Sequence, residues 1–164
     1  MAQNGVAEFI DCVLMERVAE EARKSPRKRM NYNFHRSTDE TVNRLLNVMN
    51  RGSYLPVHRH LDPDRTESVV ILRGKVGLTI YDDSGAEIES RILSAGGDCA
   101  GVDIEAGVWH GMVVLEDDTV VFEVKQGPFA PIVASNIAPW SPAADDVEAV
   151  ERFVRELETK FTKL

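Results

Sequence analysis

Apolar side chains recur at helical spacing near the start of the chain. Val6, Phe9, Ile10, Val13, Leu14 and Val18 fall on one face of a helix predicted over residues 5–24. Ser25-Pro26 ends it, because the residue before a proline is pushed out of the helical region. From Met30 to His35 the period changes to two. Met30, Tyr32 and Phe34 alternate with Asn31, Asn33 and His35, which predicts a strand. Ser37 and Glu40 have the spacing of a capping box, so a short helix is expected through Val42, Leu45, Leu46 and Met49, closed by Asn50 to Ser53.

From Tyr54 to Gly127 the chain reads as short alternating runs separated by turn residues. Val76, Leu78 and Ile80 alternate with Gly77, Thr79 and Tyr81, Asp82-Asp83-Ser84-Gly85 reads as a hairpin loop, and Ile88 to Leu93 is the return strand. Val108 to Leu115 and Thr119 to Lys125 predict a second hairpin around Glu116-Asp117-Asp118. Many short strands at this spacing point to a sandwich or barrel. Past Gly127-Pro128 the chain is irregular until Ser141-Pro142, an expected N-cap and first-turn proline. Val147, Val150, Val154, Leu157 and Phe161 then form an apolar helical stripe that needs a partner surface, either the barrel wall or a second subunit.

Composition narrows the class. The 164 residues fit one domain, and 43% hydrophobic with 28% charged residues is the mix of a globular protein. A net charge of −8 and a sequence pI near 5.0 argue against nucleic acid or an anionic membrane as partners. Five cations between Arg23 and Arg29 form a basic run, read as a solvated connector after the first helix rather than an anion site. Cys12 and Cys99 are too few for a disulfide scaffold or a cysteine-rich zinc site, and read as small buried hydrophobes. With no basic segment leading into an apolar run at the start, and no apolar stretch long enough to span a bilayer, a cytoplasmic protein is expected.

The chemistry concentrates in four residues. His58 and His60 are two apart, so on an extended segment their imidazoles project to the same side. Glu67 opens the apolar run Ser68 to Leu72, where a carboxylate is costly unless it is paired or bound to a metal. His110 shares a strand face with Met112 and Val114. Any one of these residues is more often a hydrogen-bonded core or surface group than a ligand. Together, three of the chain's four histidines and an acid on one small β-domain suit a single divalent transition metal ion such as Fe, Mn, Ni, Co, Cu or Zn. Secondary candidates are Glu123 and Lys125, which either pair with each other, point inward as acid–base groups or lie on a solvated face. Tyr54 either reaches the pocket as a catalytic or substrate-binding group or fills the barrel. Asn33 and His35 are candidate substrate-binding residues, with a structural hydrogen bond as the competing account for His35.

Gly52, five residues, His58-x-His60, six residues, Glu67, six residues and Gly74 resemble the first cupin motif, and Gly107-x-x-His110 resembles the second. The loop before the glutamate is longer than the family's usual three or four residues. Glu105 stands where the second motif has proline, and Val114 where it has asparagine. Within the cupins the chain resembles one subgroup more closely still, the WbuC-type cupin-fold metalloproteins found with O-antigen gene clusters. Ser25-Pro26-Arg27 with Arg29, Asn33-x-His35, Ser53-Tyr54 before Pro56 to His60, Phe122 to Lys125 with Gly127-Pro128, and Ala138 to Pro142 carry that resemblance.

The resemblance implies a mainly β cupin, a jelly-roll barrel or double-stranded β-helix with flanking N-terminal and C-terminal helices. Residues 1–51 would hold N-terminal helices and a leading strand, 52–128 the barrel with its metal site, and 129–164 an irregular segment and the C-terminal helix, all in one domain. It also implies a metal-holding barrel of unassigned activity, with barrels paired as a homodimer. Two functional classes follow. One is a metal-dependent enzyme (isomerase, epimerase or oxygenase) acting on a sugar, sugar nucleotide or other small polar metabolite in surface-polysaccharide biosynthesis. The other is a non-catalytic cupin that binds or senses a small ligand. The fold alone does not choose between them.

Overall fold

The computed structural model describes residues 7–163. Val6, the first apolar position of the expected N-terminal helix, lies outside them. The helix itself, α1 (Cys12–Lys24), starts later than its periodicity suggested, because Asp11 caps it by accepting the Leu14 N–H at 2.8 Å. Its buried face is Leu14, Val18, Ala19 and Ala22, while Phe9 and Val13 face solvent. Leu14 and Val18 of the expected stripe are on this face, and two alanines complete it and let the helix axis approach the sheet closely.

The strand β1 (Arg29–Asn33) follows. The short helix expected at Val42 to Met49 is instead an eight-residue strand, β2 (Val42–Met49). It lies between β1 and β8 (Thr119–Gln126) and is covered on both faces. A strand buried on both sides loses its alternation and imitates helical spacing. Ser37 and Glu40 do cap backbone N–H groups, those of Asp39 and Arg36, but they close a turn rather than open a helix.

The remaining strands are β3 (Glu67–Arg73), β4 (Lys75–Tyr81), β5 (Glu87–Ser94), β6 (Gly101–Ile104) and β7 (Trp109–Val114). They assemble into two antiparallel sheets, one ordered β1-β2-β8-β3-β6 and the other β5-β4-β7. The β4–β5 hairpin forms as its turn residues indicate. The second expected hairpin does not: β7 pairs with β4 in the smaller sheet, and β8 pairs with β2 and β3 in the larger. Residues 115–118 therefore cross from one sheet to the other, which no local turn signal can report.

The sheets face each other across a core of Met49, Val69, Ile71, Val76, Leu78, Leu93, Ile104, Met112, Val114 and Val121. On the outer face of the larger sheet, α1 packs over Leu46, Val48 and Val120. On the outer face of the smaller one, α2 (Val147–Phe161) sets Val154 and Phe161 against Val113. From Val150 to Phe161 the apolar stripe of α2 is thus covered by its own barrel wall, while Val147 is exposed. Its N-cap is Asp146, which accepts the Ala149 N–H, and not Ser141. Ser141 is drawn into the fold instead, accepting the Val57 N–H at 3.0 Å. Among the described residues no helix is long and apolar enough to cross a membrane.

Candidate metal centre

Glu67 opens β3 on its inward face, in register with Ile104 of the core on one side and Lys125 on the other. His110 comes from the facing sheet, on β7, with 1% of its surface exposed. His58 and His60 lie outside the named strands, on an extended segment clamped from two sides. His58 forms isolated bridges with His110 and with Ile137. The Arg59 N–H donates to the Asn136 carbonyl at 3.0 Å, and Asn136 Nδ2 donates to the Leu61 carbonyl at 2.8 Å. Close approach to β7 requires a glycine next to the ligand, since a Cβ on Gly111 would stand 2.9 Å from Val57 Cγ2. Arg59, between the two histidines, points away and lays its guanidinium over the Trp109 ring at 4.2 Å.

The ligand atoms of His58, His60, Glu67 and His110 lie within 4.8 Å of one another. His110 Nε2 is 2.8 Å from Glu67 Oε1, and His60 Nε2 is 3.3 Å from Glu67 Oε2. Both imidazole nitrogens are nevertheless buried without a hydrogen bond of acceptable geometry. Ligand atoms gathered this closely without hydrogen-bonding one another are the arrangement a shared cation needs. The tautomers agree. Nδ1 of His58 and Nδ1 of His110 each sit 2.9 Å from the carbonyl two residues earlier, Pro56 and Val108. An Nδ1–H donated there leaves Nε2 with its lone pair free for a metal.

The electrostatics favour the ligand forms. Burial, and then the neighbouring His110, pull the His58 imidazole down to about 3, so it is neutral at physiological pH. Burial pushes the Glu67 carboxyl upward, but contacts with His110 and His60 and the charge of Lys125 outweigh it and hold the group well below its usual range. The donor set of three imidazoles and one carboxylate fits a divalent transition ion.

Of the secondary candidates, Glu123 and Lys125 turn inward. Lys125 Nζ bridges Glu123 Oε1 at 2.7 Å and Glu67 Oε2 at 3.2 Å, one residue removed from the centre. Burial alone would lower the Lys125 ammonium, yet the Glu123 and Glu67 carboxylates raise it. Tyr54 lies elsewhere: its hydroxyl bonds Ser141 Oγ at 2.8 Å and the Pro142 carbonyl, and its ring packs beneath α2 with Phe153. His35 Nδ1 bonds the backbone of Arg44. Asn33 is exposed on the edge strand, in register with Leu45, which in turn pairs with Glu123.

Three polar residues of the inner face or the barrel mouth were not singled out by sequence as site candidates. Arg29 closes the basic run but is half-buried, in register with the core residue Met49, so it faces inward rather than into solvent; burial lowers its guanidinium. Asn47 is buried on the same face. Arg65 is buried at the mouth, two residues before Glu67. Only the alternation into β3 hinted at Arg65, because it shares the parity of Glu67.

Two facing antiparallel sheets, a helix on each outer face and the convergent centre make this a cupin jelly roll. A family model described as a domain of unknown function (DUF6016) matches residues 10–93, just over half of the chain, and the protein belongs to that family. No curated protein matches the sequence. Among solved structures, a recombinant oxalate oxidase in complex with glycolate is 20% identical, with a TM-score of 0.50 over 84% of this chain and 74% of that one. The capsular polysaccharide assembling protein CapF from Staphylococcus aureus is 22% identical, with a TM-score of 0.50 over 62% of this chain and 27% of CapF. CapF bound to 3-isopropenyl-tropolone is again 22% identical, with a TM-score of 0.51 over 62% of this chain. The chain spans less than a third of the length of the CapF chains. At these identities the likeness speaks for the fold.

Proposed function

We propose that this protein is a WbuC-type metallocupin. It holds one divalent transition metal ion through His58, His60, Glu67 and His110 and acts as an enzyme on a sugar, sugar nucleotide or other small polar metabolite of surface-polysaccharide biosynthesis in the cytoplasm. The observation that carries the metal reading is the gathering of four ligand atoms within 4.8 Å, with two buried Nε2 atoms that make no hydrogen bond of acceptable geometry. When bound, the ion supplies Lewis acidity and lowers the pKa of a coordinated water.

The chain's own groups support an enzyme over a passive binder. Lys125, kept protonated, stands between Glu67 and Glu123 and can hold a proton beside the centre and donate a hydrogen bond there. The same ammonium fixes the orientation of Glu67. The polysaccharide substrate rests on the resemblance of the motifs to the WbuC-type proteins, alongside which CapF shares the fold. A paired-barrel dimer also rests on that resemblance, since α2 covers its own sheet.

The test is elemental analysis of protein purified without chelators or a metal-binding tag. About one transition metal per chain is expected, lost in His58→Ala/His60→Ala with an unchanged far-ultraviolet circular dichroism spectrum. Equal metal in the double variant would overturn the assignment. A thermal-shift screen of nucleotide sugars and organic acids on the loaded protein addresses the substrate.

A further inference from the structure

Arg65 is a buried arginine with no counter-ion among the described residues. Only 8% of its surface is exposed, and its Nε is buried with no hydrogen-bond partner. The neighbouring carboxylates do not pair with it: Asp64 and Asp62 are exposed and beyond ion-pair distance, Asp62 at the rim of the same cavity, and Glu67 contacts His60, His110 and Lys125. Arg65 lines a cavity of about 50 Å³ at the barrel mouth, between the 60–65 loop and the 130–136 segment. The metal-ligand candidate His60 lines the same cavity, so it adjoins the centre.

A guanidinium withdrawn from water is costly unless an anion or several acceptors satisfy its donors. Leu61, Pro131, Ile132 and Val133 contribute apolar walls here, which lower the local dielectric and strengthen any ion pair formed inside. The size of the cavity suits one small planar group, and the guanidinium fork matches a carboxylate with two parallel hydrogen bonds.

We infer that Arg65 is the anion-reading residue of this protein: it clamps the carboxylate of a small organic acid or sugar acid whose other oxygen functions face the metal centre. The inference deepens the metallocupin reading and rests on it, because the ligand is placed between Arg65 and the ion. Arg65 would fix the ligand's orientation and select carboxylates over neutral analogues of the same shape.

The experiment is titration calorimetry on metal-loaded protein, with malonate, inorganic phosphate and imidazole as probes. Malonate is expected to bind, and Arg65→Met, which keeps the apolar stem, to weaken it about ten- to hundredfold. Metal content and affinity for imidazole, a neutral metal ligand, are expected to be unchanged by that variant. Arg65→Lys retains the charge but not the fork, so an intermediate malonate affinity is expected, and this variant serves if the methionine form does not fold. Equal malonate affinity in wild type and Arg65→Met would overturn the inference, as would phosphate binding more tightly than malonate. A protein with neither bound metal nor imidazole affinity would instead defeat the metal reading beneath it, so the two failures are told apart.

Discussion

His58 and His110 exchange both backbone hydrogen bonds, each N–H standing 2.9 Å from the other's carbonyl oxygen. Two candidate ligands more than fifty residues apart in sequence are thereby locked in register, with ring centroids 4.4 Å apart. Neither ring depends on a mobile loop for its position. The fold itself gathers the candidate ligands, which would lower the ordering cost of binding an ion there.

A neutral, half-buried His58 makes the metal-free protein sensitive to acid. Its imidazole falls from 6.5 to about 3 in the fold, so the unfolded chain binds the proton first. The stabilisation is complete above about pH 6.5 and is lost as the pH falls toward 3, at a slope of up to about 1.4 kcal/mol per pH unit. Glu67, also lowered, adds a loss of the same sign below its usual carboxylate range. Urea unfolding of metal-free protein at pH 8, 6, 5 and 4 should show this decline, and His58→Ala should flatten its upper part. A wild-type stability that is constant from pH 7 to 4 would show that the imidazole is not buried as described.

Lys125 separates two inward carboxylates. In Lys125→Met, Glu67 and Glu123 lose the cation between them. The metal-free variant is expected to lose about 2–3 kcal/mol, less than a fully buried pair because the site is partly open to solvent. A bound metal ion would itself neutralise Glu67, so the metal-loaded variant should lose less, and by linkage metal should bind more tightly to the variant. Differential scanning calorimetry with and without metal measures both. An equal loss in the two states would separate Lys125 from the centre.

Tyr54 and Ser141 form a strut, not a reactive pair. Tyr54→Phe and Ser141→Ala are each expected to cost about 1 kcal/mol, through the lost bond between them and, for Ser141, the lost acceptor of the Val57 N–H. Tyr54→Phe should leave metal content and malonate affinity at wild-type values. A large drop in ligand affinity at unchanged stability would place the phenol in the binding site after all.

Gly77 is where α2 seats on the smaller sheet. A Cβ there would stand 2.3 Å from Phe161 Cδ2, so Gly77→Ala must push the aromatic ring aside. Overpacking of this kind costs about 1–3 kcal/mol. Phe161→Leu should recover part of that loss in the double variant, read as a coupling energy in thermal unfolding. Simple additivity would mean that the helix end had already moved away.

The amino-acid order alone carried the candidate ligands and the contiguous local elements. His58-x-His60, Glu67 and His110 are recognisable because imidazoles and an acid on apolar strands need a reason to be there. The β4–β5 hairpin is legible because its turn residues and both alternating strands are contiguous. Local sequence could not decide what depends on burial from a distance. Val42 to Met49 became a strand because β1 and β8 flank it and α1 covers it, although its apolar spacing suits a helix. Thr119 to Gln126 left its sequence neighbour β7 for the opposite sheet, which put Glu123 and Lys125 beside Glu67 rather than beside His110's strand. Tyr54 turned to α2, and Arg65 and Asn136 came to the mouth, through contacts across tens of residues. Periodicity reports which face of a segment avoids water, and only the closed pair of sheets determines what that face meets.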